Sequence, residues 1–254
     1  MRNLKSLCLN VSLGIVFLSP LAFQSGCSPK LQLAESQKAL YPINDKLPKD
    51  KKIIDYYYPY KRTVDSLLKE VIAVSDIEIT KARPEGPLNN LFADALFEAG
   101  KSRNIQFDIA YTNYGGLRIP LPKGNIALYR VFELMPFENI ITTVKFSGAD
   151  MKAFFNYMAS EGGDPISGAT YKINDKKAED IKINGQNLDI NKDYTVLTSD
   201  YMANGGDGGN IFFKSRDRKE YDIKLRDVII EYLRKRTKNG ETINPRNDGR
   251  ITVE

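Results

Sequence analysis

Histidine is absent from all 254 residues, and only two cysteines are present. Without an imidazole, no serine or cysteine in this chain has the usual base to make it a nucleophile. An imidazole-ligated metal centre is likewise beyond what this chain can build alone. Beyond residue 26 no segment is long and apolar enough to span a bilayer. Charge of one sign is not in excess either. The formal net charge is +5, and 37 basic residues less Arg2 and Lys5 leave 35 against 32 acids. A bias of +3 favours anionic ligands slightly and makes no case for nucleic acid.

What is present is ordinary globular material. Hydrophobic residues make up 42% of the chain and aromatics 10%, enough for a real core. Arg2 and Lys5 precede a largely apolar stretch from Leu7 to Phe23, interrupted at Pro20. Gln24-Ser25-Gly26-Cys27 follows, small residues ahead of a cysteine. This pattern predicts a lipoprotein signal peptide over 1–26, with the acyl chains on Cys27. Cys8 then leaves with the leader, and no thiol remains for a disulfide. The location implied is the cell envelope, lipid-anchored on the periplasmic face or at the outer membrane.

Residues 27–58 read as a tether, mixed in Lys, Gln, Ser, Pro and Asp without a period, and ending in the tyrosine run 56–60. The domain is expected over 59–254. Val64, Leu67, Leu68, Val71 and Ile72 recur at three and four, which predicts a helix over 61–74. Ile77–Thr80 alternates like a short strand. A second helix is expected around Leu88–Leu96, stopped by Gly100. Phe107–Tyr111 and 139–146 read as strands, 129–135 and 149–159 as helices, the latter capped by Ser147 or Asp150. Further strands are expected near 169–174, 180–183 and 194–199, a flexible loop at 205–209, a helix around 225–233 and a strand at 250–253. Helices are interspersed with hairpin-like neighbours, so the predicted fold class is α+β, a single domain with a mixed sheet and flanking helices.

Three glycine-containing clusters carry chemistry. Asn113, Gly115, Gly116 and Arg118 end a strand, where paired glycines admit a ligand and the guanidinium can meet a phosphate or ribose oxygen. Phe137 and Asn139 follow Pro136; an amide offers a donor and an acceptor to a base edge. Tyr201 stands six residues before Asp207, whose flanking glycines present a carboxylate to vicinal hydroxyls. Each alone is a weak signal, with a plain turn, a core ring, and a solvated or calcium-like loop as the respective ordinary readings.

In order, Asn113, Gly115, Gly116, Arg118, Gly124, Phe137, Asn139, Ser167, Gly168, Tyr194, Gly205, Gly206, Asp207 and Gly208 form a series. With "PLNNLFADAL" at 87–96 and "GRI" at 249–251, it resembles the C-terminal domain of the bacterial 5'-nucleotidase/UDP-sugar hydrolase family, over residues 60–254. The resemblance implies that Phe137 and Tyr201 sandwich a base, Asn139 and the backbone at Gly168 contact its edge, and Asp207 holds the ribose. Arg118 would lie near ribose and phosphate. The family's further arginines, ahead of its first long helix, have only Lys81 and Arg83 nearby, at a different spacing. The family's metallophosphoesterase domain, with its Asp-x-His and Gly-Asn-His motifs, has no counterpart here. The function implied is therefore the nucleoside- or nucleotide-binding subunit of a split 5'-nucleotidase. No cofactor is expected in this chain, and divalent metals only in a separate metallophosphoesterase partner. The alternatives are a non-catalytic surface lipoprotein that captures nucleotides, a structural lipoprotein with a decayed clamp, and an unrelated hydrolase.

Overall fold

The computed structural model describes residues 35–44 and 47–254, so the expected leader and the lipidation site Cys27 lie outside the described residues. The chain divides into a unit ending at Asp50 and a unit from Lys51 to Glu254. The described residues of the first unit are exposed and form no helix or strand.

The second unit begins with helix α1, Lys51–Leu68, which buries none of its residues and carries Pro59 within it. It covers the last part of the stretch expected as tether. Val71 and Ile72 are not its continuation. They open strand β1, Val71–Ser75, which pairs antiparallel with β3, Gly124–Ala127. The expected strand at Ile77–Thr80 reduces to one bridge, Ile79 to Leu121. Helix α2, Pro87–Ser102, starts on Pro87 after Gly86, as the fixed φ of proline favours. It runs through Gly100 rather than stopping there. A Cβ at Gly100 would lie 2.5 Å from the Phe107 ring and 2.6 Å from Leu197, so this glycine serves close packing.

The principal sheet has five strands in the order β10-β4-β9-β2-β5. These are β10 Arg216–Lys224, β4 Ile140–Ser147, β9 Asp193–Ser199, β2 Ile109–Tyr111 and β5 Ile166–Ser167. Strands β9 and β2 run parallel and the other pairs antiparallel, a mixed sheet as expected. Successive side chains point to opposite faces. Ala110, Ile141 and Leu197 enter one core, with α2, helix α3 (Leu128–Leu134) and helix α6 (Leu225–Lys238). Ile109, Tyr111, Val144, Phe146 and Val196 enter the other, with helix α4, Gly148–Ser160. In that second core Tyr111, Phe146, Phe154 and Phe212 pack ring against ring, with centroids 5.0–5.9 Å apart. Ser147 caps α4 by accepting the Asp150 amide. A four-stranded sheet, β11-β6-β7-β8, completes the unit: β6 Ala169–Asn174, β7 Lys177–Ile183, β8 Gln186–Asn187 and β11 Ile251–Val253. Ser199 ends β9 and caps the single turn of α5, Asp200–Ala203.

Candidate functional site

The parallel neighbours β2 and β9 end at the same edge of the sheet, and antiparallel β4 begins beside them, with Ile141 opposite Ser199. Three connections therefore meet there: the turn after β2, the loop between α3 and β4, and the segment after β9. They enclose a cavity of about 730 Å³ lined by Asn113, Gly115, Gly116, Arg118, Phe137, Glu138, Asn139, Tyr201 and Asp207, among others. Seven of the nine residues expected at the binding site come together in it.

The two rings are partly exposed, Phe137 at 38% and Tyr201 at 41%, and both face the cavity. Phe137 sits on a loop held from behind by Arg226. This buried guanidinium donates to the carbonyls of Met135 and Phe137, each at 3.4 Å, and pairs with Glu138. Lys224 and Arg226 hold the Glu138 carboxyl down to about 2. The Arg118 guanidinium lies 6.0 Å from the Phe137 ring centroid and donates to the Gly115 carbonyl at 3.3 Å.

Asn139 is tied to the opposite wall. Its amide donates to Asp200 Oδ1 at 3.0 Å, and the same oxygen accepts the amides of Ile140 and Tyr201. Asp200 thus joins the segment bearing one ring to the segment bearing the other. The glycine-rich loop expected to be flexible is pinned instead. Asp207 sits at φ 49°, between Gly205 at 79° and Gly208 at 75°. Tyr201 donates its hydroxyl to Asp207 Oδ1 and Asn113 donates its amide to Oδ2, both at 2.6 Å. A Cβ at Gly206 would overlap the Tyr201 ring, so that ring lies flat on bare backbone.

Gly168 and Arg83 are not in this cavity. Gly168 lines a separate one of about 450 Å³ with Ser167, Asp248 and Arg250, and a Cβ there would press the Asp108 carbonyl at 2.8 Å. Arg83 lies one layer behind, its guanidinium 4.6 Å from the Tyr114 ring centroid and 3.5 Å from Asp164. Lys81 covers the same ring at 4.2 Å and donates to the Tyr114 carbonyl. Burial, then Arg118 and Arg83, lower the Lys81 pKa. Three cations thus gather about the Tyr114–Gly115 turn, with the carboxylates of Asp164 and Asp207 beside them.

Sequence reasoning missed Asp164, Asp200 and Arg226. Asp164 is buried, accepts the Tyr111 hydroxyl at 2.9 Å and the Tyr114 amide at 3.3 Å, and so steadies the turn from below. Burial pushes its carboxyl up to about 6. Only their partners mark these residues out, and partners from distant segments leave no local pattern. Among the described residues no three His, Cys, Asp or Glu side chains are grouped to hold a metal ion.

The fold is an α+β domain with a cavity at one edge of its principal sheet, and comparison with known proteins narrows this. Residues 68–215 match the model of the 5'-nucleotidase C-terminal domain family, to which this chain belongs. The trifunctional nucleotide phosphoesterase protein of Bacillus subtilis is 26% identical over 242 residues, spanning 87% of this chain but 16% of its own length. The 5'-nucleotidase of Vibrio parahaemolyticus is 27% identical over 176 residues, 65% of this chain and 30% of its own length. The 5'-nucleotidase precursor of Thermus thermophilus superposes with a TM-score of 0.67 at 23% identity, covering 81% of this chain and 44% of that one, a likeness of fold. The chain spans less than half the length of each of these relatives.

Proposed function

We propose that this chain is the nucleoside-binding half of a split 5'-nucleotidase, whose hydrolysis is carried out by a separate metallophosphoesterase chain. Two partly exposed rings, Phe137 and Tyr201, on the walls of one cavity carry this reading. A cavity of about 730 Å³ is within the usual size for a small-molecule site. A purine between the rings gains about 1–3 kcal/mol from each stacking contact. Asp207 accepts from the ribose, and the Lys81, Arg83 and Arg118 cluster draws the phosphate toward the Tyr114 turn. The chain's contribution is positioning: it fixes the ester while the partner supplies metals and water. The Gln24–Cys27 pattern supports a lipid tether at the envelope.

Calorimetry of the full chain with AMP and adenosine tests the site. Binding is expected, and Phe137→Ala should weaken it by about 1–3 kcal/mol. No binding, or equal binding by the variant, would refute the clamp. Adding the metallophosphoesterase chain should raise AMP hydrolysis above that of the partner alone. An unchanged rate on mixing, with AMP binding intact, would leave a nucleotide-capture protein instead.

A further inference from the structure

Asp207, on the wall of the cavity, is held at every one of its polar groups. Tyr201 donates to Oδ1 at 2.6 Å, and the same hydroxyl accepts the Asp207 amide at 3.2 Å. Asn113 donates to Oδ2 at 2.6 Å. The Tyr157 hydroxyl donates to the Asp207 carbonyl at 3.3 Å. Its amide, its carbonyl and both carboxylate oxygens are therefore engaged, by the neighbouring Tyr201 and by Asn113 and Tyr157 from two distant segments. Asp207 takes the left-handed conformation, φ 49° and ψ 33°, which aspartate adopts more readily than most non-glycine residues.

A carboxylate offers about four lone-pair positions. One protein donor on each oxygen leaves about one position open on each. Two vicinal hydroxyls need that number. The donors come from opposite sides: Asn113 from the turn after β2, Tyr201 from the segment after β9. Together they remove the rotation of the carboxylate about its own bond. A carboxylate free to turn would accept one hydroxyl about as well as two; a clamped one presents both acceptors at once.

Resting on the nucleoside reading above, we infer that the Tyr201 hydroxyl and the Asn113 amide are orienting groups that set the Asp207 carboxylate to select a cis-diol, and so a ribonucleoside over its 2'-deoxy counterpart. Tyr201 then does two jobs with separate atoms. Its ring is a wall for the base, and its hydroxyl sets sugar selectivity. The bond to Asp207 also raises the phenol pKa above its ordinary value.

The test is the ratio of adenosine to 2'-deoxyadenosine affinity, by calorimetry on the full chain. Tyr201→Phe keeps the ring and removes the donor, and the ratio should fall about tenfold. Asn113→Ala should lower it similarly, and the double variant little further, because either loss frees the same rotation. Phe137→Ala should weaken both ligands and leave the ratio standing. A ratio unmoved by Tyr201→Phe overturns the inference, and so does a rise in adenosine affinity, which would make the hydroxyl a competitor of the sugar. Should the wild-type chain bind neither nucleoside, the site reading itself fails and this refinement with it.

Discussion

Replacing Asp164 by asparagine isolates one buried charge. Asp164 is 3% exposed, and burial raises its carboxyl from 3.8 to about 6 against the opposing pull of the Tyr111 hydroxyl, Arg83 and the Tyr114 amide. A carboxyl whose native pKa exceeds its unfolded value favours folding while protonated. That contribution is complete below about 3.8 and is lost as pH rises through about 6. At 1.36 kcal/mol per unit, the loss totals about 3 kcal/mol, of which roughly 2.5 falls above pH 4. Asparagine cannot ionise, so the variant lacks this slope. Lowered carboxyls such as Glu138 and Glu241 contribute the opposite slope, but equally in both proteins, and cancel in the difference. Urea unfolding of both proteins from about pH 4 to pH 8 gives the quantity needed. The stability of wild type minus variant should fall by about 2.5 kcal/mol across that range. A difference flat to within about 0.5 kcal/mol, or one that climbs with pH, would refute the reasoning. A climb would mean that the Arg83 ion pair outweighs the cost of burying the charge.

Two further outcomes follow from packing. Gly100→Ala lies within α2, where alanine ordinarily gains about 0.5–1 kcal/mol over glycine. Here the added methyl meets Phe107 and Leu197, so thermal unfolding should report a net loss of about 1–3 kcal/mol. Arg226→Met removes the bonds to the Met135 and Phe137 carbonyls. It should cost about 1.5–3 kcal/mol in urea unfolding, and exchange at amides 135–139 should quicken while 200–207 stays protected.

How much could be read in advance differs from element to element. The helix α4 and the strands β4 and β9, the first of these strands a β-branched run, each lie within a residue or so of the expected span. Strand β10 passed unread because its sequence, RDRKEYDIK, is almost wholly exposed; an edge strand with few apolar residues has no alternation to detect. The apparent helix over 61–74 joined two elements, because Val71 and Ile72 happen to continue the spacing of Val64, Leu67 and Leu68. Pro59 and the tyrosine run hid the first half of α1. In the site, the rings, Asn113, Arg118 and Asp207 were legible because these cavity-lining residues sit near glycine and proline in the sequence. Their supports were not. Asp164 reaches Tyr111 across 53 positions, and Arg226 reaches Phe137 across 89. Such pairings exist only once the chain has folded.

Gly206 has a quieter consequence. One rim of the cleft owes its shape to an atom that is not there: the Tyr201 phenol rests where a methyl would otherwise stand. Any replacement at that position evicts the aromatic plane and slackens the grip on Asp207, though every cavity-lining residue keeps its identity. The cleft can thus lose its wall through a position that does not line it.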